Sequence, residues 1–254
     1  MTNTPIISVK NLTKKFGDFT ANDNLNFEVK EGEIFGFLGA NGAGKTTAIK
    51  IFCGLSAPTS GDVKIAGYDI YKDTEKIKRN IGYMSQRFSL YEDLSVKENI
   101  RFYARIYGLS KNEIKQKTEE LLDKLNFKHA ANKRIKDIPL GWKQKLAFST
   151  AVFHNPKIVF LDEPTGGVDP ITRRQFWDLI YETSEKGITV FVTTHYMDEA
   201  EYCDRVSIME TGKIEALGKP SELMKQFKVN TMDDVFLKIA RRQAVSSEQS
   251  GSRQ

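Results

Sequence analysis

Ile34-Phe-Gly-Phe-Leu38-Gly39-Ala-Asn-Gly-Ala-Gly44-Lys45-Thr46-Thr47 joins a nearly all-apolar run to a glycine-rich loop. A strand without polar alternation is one buried on both faces, as parallel strands are. Beyond the loop, Lys45 to about Phe52 reads as a helix stopped at Gly54. The loop matches G-x-x-x-x-G-K-[ST] in full, and between a strand and a helix that pattern is a phosphate cradle. Its glycines let backbone N–H groups converge on one point, where the helix N-terminus adds partial positive charge. Gly39, Ala40, Asn41, Gly42, Ala43 and Gly44 are therefore expected to wrap nucleotide phosphates. Lys45 would reach the β- and γ-phosphates, Thr46 would offer its hydroxyl to Mg²⁺, and Thr47 would bond an α-phosphate oxygen.

A second apolar run, Ile158 to Leu161, ends in Asp162-Glu163. A buried strand closed by acids delivers carboxylates to the edge of the sheet where the phosphates lie. Asp162 would hold Mg²⁺ and Glu163 would polarise an attacking water. A third run, Ile188 to Thr194, is followed by His195, which lands at the carboxyl end of the same sheet, where α/β folds bind nucleotides.

Around these runs the chain divides into parts. Leu25, Phe27 and Val29 alternate with polar residues, the period of a half-buried strand. Ser95-Val-Lys-Glu98 and Ser110-Lys-Asn-Glu113 are capping boxes, each opening a run of apolar residues at helical spacing. Asp169-Pro170 reads as an N-cap with proline at the first helical position, and Gly187 closes that helix. Val206 to Met209 and Lys213 to Leu217 flank Thr211-Gly212 as a hairpin. The alternation implies an α/β sheet with a helical insertion near residues 88–138. Thr231-Met-Asp-Asp234 caps a helix carrying Val235, Phe236 and Ile239, after which the polar stretch from Arg241 to Gln254 is expected to fray. Residues 1–230 are thus read as one domain and 231–254 as a C-terminal helix with a disordered tail.

Composition limits the classes. The 254 residues carry a formal net charge of +5. No apolar run approaches the roughly 18 to 20 residues that span a bilayer, and the first ten residues lack the pattern of a signal peptide. Cys53 and Cys203 stand in unrelated contexts, without metal-ligand spacing, and read as reduced thiols.

In the order and spacing of these motifs, from about residue 6 to 217, the chain resembles the ATP-binding subunits of ABC transporters. The phrase Leu161-Asp-Glu-Pro-Thr-Gly166 is close to diagnostic. The resemblance implies an α/β P-loop NTPase (ABC ATPase) with an N-terminal antiparallel β subdomain, a RecA-like core and a helical insertion. It implies that Phe16, in Lys-Lys-Phe-Gly, stacks on adenine. Gln86, in Tyr-Met-Ser-Gln, would touch Mg²⁺ and signal to a membrane domain. Gly167-Val-Asp169 resembles the D-loop, and His195 resembles the switch histidine at the γ-phosphate.

One motif departs. Where the family has Leu-Ser-Gly-Gly-Gln, this chain has Ile138-Pro139-Leu140-Gly141-Trp142. In the family that stretch clasps the ATP held by the opposite subunit. Pro139 has neither hydroxyl nor N–H, and Leu140 adds bulk where backbone approaches closely. Gly141 and the helix behind it still offer N–H groups, so the expected clasp is weakened rather than lost.

Phe37-Leu-Gly-Ala-Asn-Gly-Ala-Gly44, Pro139-Leu-Gly-Trp142 and Tyr196-Met-Asp-Glu-Ala-Glu201 resemble the ABC-2-type export subfamily. That implies ATP and Mg²⁺ as ligands, a separate ABC-2-type permease, and a second nucleotide-binding subunit, identical or paralogous. It also implies a peripheral location on the cytoplasmic face of the cell membrane, with multidrug-type export favoured and no nucleic-acid partner. The alternatives are a soluble ABC ATPase without a permease, or a regulatory subunit that hydrolyses weakly. A P-loop GTPase is disfavoured, because Asn132-Lys133-Arg134-Ile135 lacks the aspartate of a guanine-reading motif.

Overall fold

In the computed structural model, which describes residues 4–86 and 90–251, the quoted apolar run becomes a strand, β3 (Ile34–Gly39), with every residue buried. Strand side chains alternate between faces. Ile34 and Leu38 accordingly enter one core, and Phe35 and Phe37 another. The same division holds for β7 (Ile158–Asp162) and β8 (Thr189–Thr194). Val159, Leu161, Val190 and Val192 join the first core, while Ile158, Phe160 and Phe191 join the second. A sheet covered on both faces selects apolar residues at every position, which is why these runs show no alternation.

The strand order is β10-β9-β3-β8-β7-β6, with β6 at Ile81–Met84, β9 at Arg205–Glu210 and β10 at Lys213–Gly218. The paired neighbours are parallel except β9 and β10, the expected hairpin. Thr211 (φ +45) and Gly212 (φ +80) turn it with the left-handed backbone that a two-residue hairpin demands.

A second, antiparallel sheet is ordered β2-β1-β4-β5, from β1 (Ile7–Phe16), β2 (Phe19–Val29), β4 (Ser60–Ile65) and β5 (Tyr68–Asp69). It meets the first sheet through an aromatic cluster. The Phe27 ring of β2 lies 5.6 Å from those of Phe35 and Phe37 and 6.2 Å from Phe191. Helix α1 (Lys45–Phe52) joins this core through Phe52, whose ring is 5.6 Å from Phe191. Ile77 of α2 (Thr74–Asn80) is buried in the same core.

The insertion consists of α3 (Val96–Ile106) and α4 (Lys111–Lys124), both opened by the expected capping boxes at Ser95 and Ser110. Residues 88 and 89 of the expected insertion lie outside the described residues. Helix α5 (Leu140–Ala151) leads back to β7 and is anchored near its start by Trp142, stacked on Phe127 at 4.8 Å. Helix α6 (Pro170–Glu185) is capped by Asp169, whose carboxylate accepts from the N–H groups of Ile171 and Thr172, each at 3.0 Å. Two helices follow, α7 (Pro220–Phe227) and α8 (Met232–Gly251). Val235 and Ile239 of α8 are buried in the first core, and the Thr231 hydroxyl caps it by accepting from Asp234 N–H at 3.1 Å. Helix α8 runs ten residues beyond the Arg241 boundary at which the polar composition suggested fraying. No proline interrupts that stretch, and its only glycine before residue 252 is the last helical residue. Residues 252–254 lie outside the described residues.

Candidate nucleotide site at the carboxyl edge of the sheet

Parallel strands put their carboxyl ends on one edge. There β3 ends in the glycine loop, β7 in Asp162-Glu163 and β8 in Thr194-His195, with Asp162 in register with Thr193. The loop and α1 are shaped by close backbone approach. A Cβ on Gly44 (φ +103) would lie 2.3 Å from the Ala21 carbonyl oxygen, and one on Gly39 would lie 2.4 Å from the Met209 carbonyl oxygen. Packing therefore requires glycine at 39 and 44, whereas a Cβ on Gly42 would meet nothing within 4 Å.

Glu163 is the hub. Its side chain is only 9% exposed, and its backbone holds φ +49, a conformation that costs a non-glycine residue about 1–3 kcal/mol. The Glu163 N–H donates to both the carbonyl (3.1 Å) and the hydroxyl (3.0 Å) of Thr193, which holds it there. Its carboxylate meets Lys45 Nζ at 3.2 Å, Gln86 Nε2 at 3.1 Å and His195 Nδ1 at 3.1 Å. Lys45 also donates to the carbonyls of Gly39 (2.7 Å) and Ala40 (3.1 Å). Burial pulls the Lys45 pKa below the usual lysine value, and Glu163 opposes that pull.

Asp162, 1% exposed, accepts the hydroxyl protons of Thr193 (2.7 Å) and Thr46 (3.2 Å) on one oxygen. Burial raises its pKa, against the two threonine bonds. The oxygen donors Thr46, Asp162 and Gln86 suit a small hard cation. Mg²⁺ is usually held by one or two carboxylates plus substrate phosphates rather than by an all-protein cage. Among the described residues no group of three or more His, Cys, Asp or Glu is placed to hold a metal.

A cavity of about 450 Å³ opens over this edge, a size that takes a nucleotide-sized ligand. Asn41, Gly42, Gly44, Lys45, Thr46 and Thr47 line it, with Gln86 and Glu163. Gly39, Ala40, Ala43, Asp162 and His195 lie beside the cavity rather than on its lining, and Phe16 and Gly141 stand apart. Phe16 does not line the cavity. It is 55% exposed beneath the Lys14 ammonium, 4.8 Å from its ring centre, while its cross-strand partner Phe19 faces the cavity with Ala21. Gly141 lies at the start of α5, where an added Cβ would come within 2.6 Å of the Thr172 methyl. Pro139 is the N-cap of that helix and gives no side-chain cap.

Thr193, Asn22 and Phe19 also stand at this edge, outside any of the sequence motifs. Thr193-Thr194 interrupt an otherwise apolar strand at its carboxyl end, and that break was the available signal. Asn22 is fully buried and donates to the Gly44 carbonyl at 3.2 Å, supporting the loop from β2. Cys53 and Cys203 are free and buried, and burial raises both thiols above their ordinary value.

Among known proteins, the ABC transporter family profile matches residues 22–166. The chain is 47% identical over 239 residues to the probable multidrug ABC transporter ATP-binding protein YbhF of Escherichia coli, covering 92% of this chain and 41% of YbhF. It is thus aligned with about two fifths of that relative's length. It is 35% identical to the linearmycin resistance ATP-binding protein LnrL of Bacillus subtilis, covering 89% of this chain and 73% of that protein. Among solved structures, an ATP-binding subunit of an ABC transporter superposes with a TM-score of 0.83 at 28% identity, covering 92% of this chain and 99% of that one. The ATP-binding cassette MJ0796, solved as a dimer in a post-hydrolysis state with ADP and Pi, superposes with a TM-score of 0.76 at 30% identity, covering 84% and 98%. The phosphate loop, the paired carboxylates and the histidine on three adjacent strand ends, together with these likenesses, place the chain in the ABC transporter family as an ABC ATPase domain.

Proposed function

We propose that the chain binds and hydrolyses MgATP as one half of a nucleotide-sandwich dimer and drives export through a separate ABC-2-type permease. The observation that carries the reading is the convergence of Lys45, Gln86 and His195 on Glu163, beside the Thr46–Asp162 contact. Thr46 and Asp162, with Gln86 alongside, would hold Mg²⁺, which would supply neutralisation of the phosphate charge. Lys45 exchanges its contact with Glu163 for phosphate oxygens, and the loop N–H groups take up the rest of the phosphate charge. The released Glu163 carboxylate accepts a hydrogen bond from the attacking water, and His195, at the end of β8, bonds the γ-phosphate. Phosphoryl transfer asks the protein for positioning and electrostatics rather than covalent chemistry, and this rigid sheet edge supplies both.

The remaining parts rest on relatives. YbhF is named for multidrug transport and LnrL for linearmycin resistance, which supports multidrug-type export. The dimeric MJ0796 supports a paired arrangement; the family resemblance implies that Gly141 and the start of α5 would face the partner's nucleotide in it. No helix among the described residues is long and apolar enough to cross a membrane. A peripheral position beneath a permease, on the cytoplasmic face, follows as part of this proposal.

Turnover of MgATP by the purified chain tests the reading. We expect steady-state hydrolysis that Lys45→Ala abolishes. Hydrolysis unaffected by Lys45→Ala, or no ATP binding by the wild type, would overturn it.

A further inference from the structure

One buried acid has no place in the chemistry above. Glu199 lies in the short 3-10 helix Met197–Tyr202, just after His195, and is fully buried. A carboxyl group away from water needs partners, and those of Glu199 Oε1 come from two other segments, while Oε2 has no hydrogen-bond partner. Thr165, itself 1% exposed, donates its hydroxyl proton to Glu199 Oε1 at 2.6 Å. Arg173, on α6, brings Nε to 3.6 Å from the same oxygen, and its Nη1 donates to Asp198 at 3.3 Å. The Arg173 guanidinium also sits 4.1 Å from the centre of the Tyr196 ring, and that ring is 4.1 Å from the ring of His195.

These contacts close a circuit. Thr165 follows Glu163 at two residues' remove, and Glu199 follows His195 at four. Glu163 and His195 meet at 3.1 Å. The Thr165–Glu199 bond therefore joins, on the far side, the two segments whose leading side chains meet in the site. Glu163 holds a strained backbone, which its surroundings must enforce. Arg173 ties the circuit to the start of α6, directly behind the Gly167–Asp169 turn.

Resting on the ATPase reading above, we infer that Glu199 is a positioning residue for hydrolysis: held by Thr165 and Arg173, it fixes the placement of His195 against Glu163. The same links give the Gly167–Asp169 turn a mechanical route to that pair, through Arg173 and Thr165.

Two variants of the full chain test this. Thr165→Val keeps the shape and deletes the hydroxyl. Glu199→Gln keeps an acceptor for Thr165 and removes the charge facing Arg173. The chain has three histidines, so ring-labelled spectra resolve them, and His195→Asn assigns the signal of interest. In Thr165→Val we expect the His195 ring signals to move while those of His129 and His154 stay. We also expect kcat for MgATP to fall on the order of 10-fold with KM unchanged, as a small misplacement of a catalytic pair does. Glu199→Gln should give a smaller displacement and a smaller fall. Unmoved His195 signals with unchanged kcat in Thr165→Val would overturn the inference, and a lower thermal midpoint alone would mark the bond as merely structural. If the wild type turns over no ATP, the ATPase reading fails separately, and the His195 signals still decide the positioning role.

Discussion

Thr193→Val deletes one hydroxyl at Asp162, the carboxylate proposed to hold Mg²⁺, and changes little else. Thr193 is fully buried, and its hydroxyl donates to Asp162 at 2.7 Å while accepting from Glu163 N–H at 3.0 Å. The Glu163 N–H keeps the Thr193 carbonyl at 3.1 Å, so the loss falls on Asp162. A hydrogen bond to a buried ionised group contributes about 1.5–3 kcal/mol, or about 10- to 150-fold in an equilibrium. Thr46, the other donor, stands at 3.2 Å and is the group expected to turn toward Mg²⁺, so it does not substitute. Burial already raises the Asp162 pKa, and losing the Thr193 bond raises it further. A protonated acid does not hold Mg²⁺, so the acid limb of the pH–rate profile moves to higher pH. We expect MgATP turnover to drop by about 10- to 150-fold at fixed Mg²⁺, with partial recovery at higher pH. ATP affinity measured by calorimetry without Mg²⁺ should stay unchanged, because Thr193 touches neither the loop nor Lys45. Overlaid pH profiles, or an equal loss of affinity with and without Mg²⁺, would refute the reasoning.

Asp162→Asn should show the opposite balance. A carboxyl with a raised folded pKa binds more protons folded than unfolded, so stability falls as pH rises from about 3.9, the unfolded value, through the folded one. The amide removes that deficit, so the thermal midpoint at neutral pH should rise, the gain should vanish in acid, and Mg²⁺-dependent turnover should disappear. An unchanged midpoint at neutral pH would count against the burial argument. Pro139→Ser with Leu140→Gly supplies the hydroxyl and the open backbone that the start of α5 lacks. The serine cap should add about 1 kcal/mol to the helix, and nucleotide-dependent dimerisation should tighten. Sedimentation showing no gain would end the idea of a weakened clasp. Gly44→Ala forces a side chain into φ +103 against the Ala21 carbonyl, so ATP binding should weaken, as a filter-binding titration would show, with a strain of about 1–3 kcal/mol.

Much of the fold could be read because its signals are local. β3, β7 and β8 are covered on both faces, and that writes unbroken apolar runs into the chain. Ser95, Ser110 and Asp169 cap their helices through residues two or three positions away, so short windows contain the whole interaction. The glycine loop could be read because backbone crowding excludes side chains at Gly39 and Gly44. What stayed hidden depends on contacts distant in sequence. Thr193 matters because it lies beside Asp162, 31 residues away, and Glu199 because it meets Thr165, 34 residues away. The Lys-Lys-Phe-Gly pattern points to Phe16 as the aromatic at the site, whereas the β1–β2 hairpin turns Phe19 toward the cavity, and side-chain direction at a hairpin end is not written in a two-residue pattern. Helix α8 outran expectation because a polar, serine-rich stretch carries no apolar period to announce it.

The most direct measurement is the mass of the Glu163→Gln chain by light scattering in MgATP, beside steady-state turnover by the wild type. An ATP-dependent doubling of mass in the variant, with hydrolysis by the wild type, is the predicted result. A variant that stays monomeric in saturating MgATP, with no wild-type turnover, would contradict the proposal that this chain by itself forms a hydrolytic ATP-sandwich dimer.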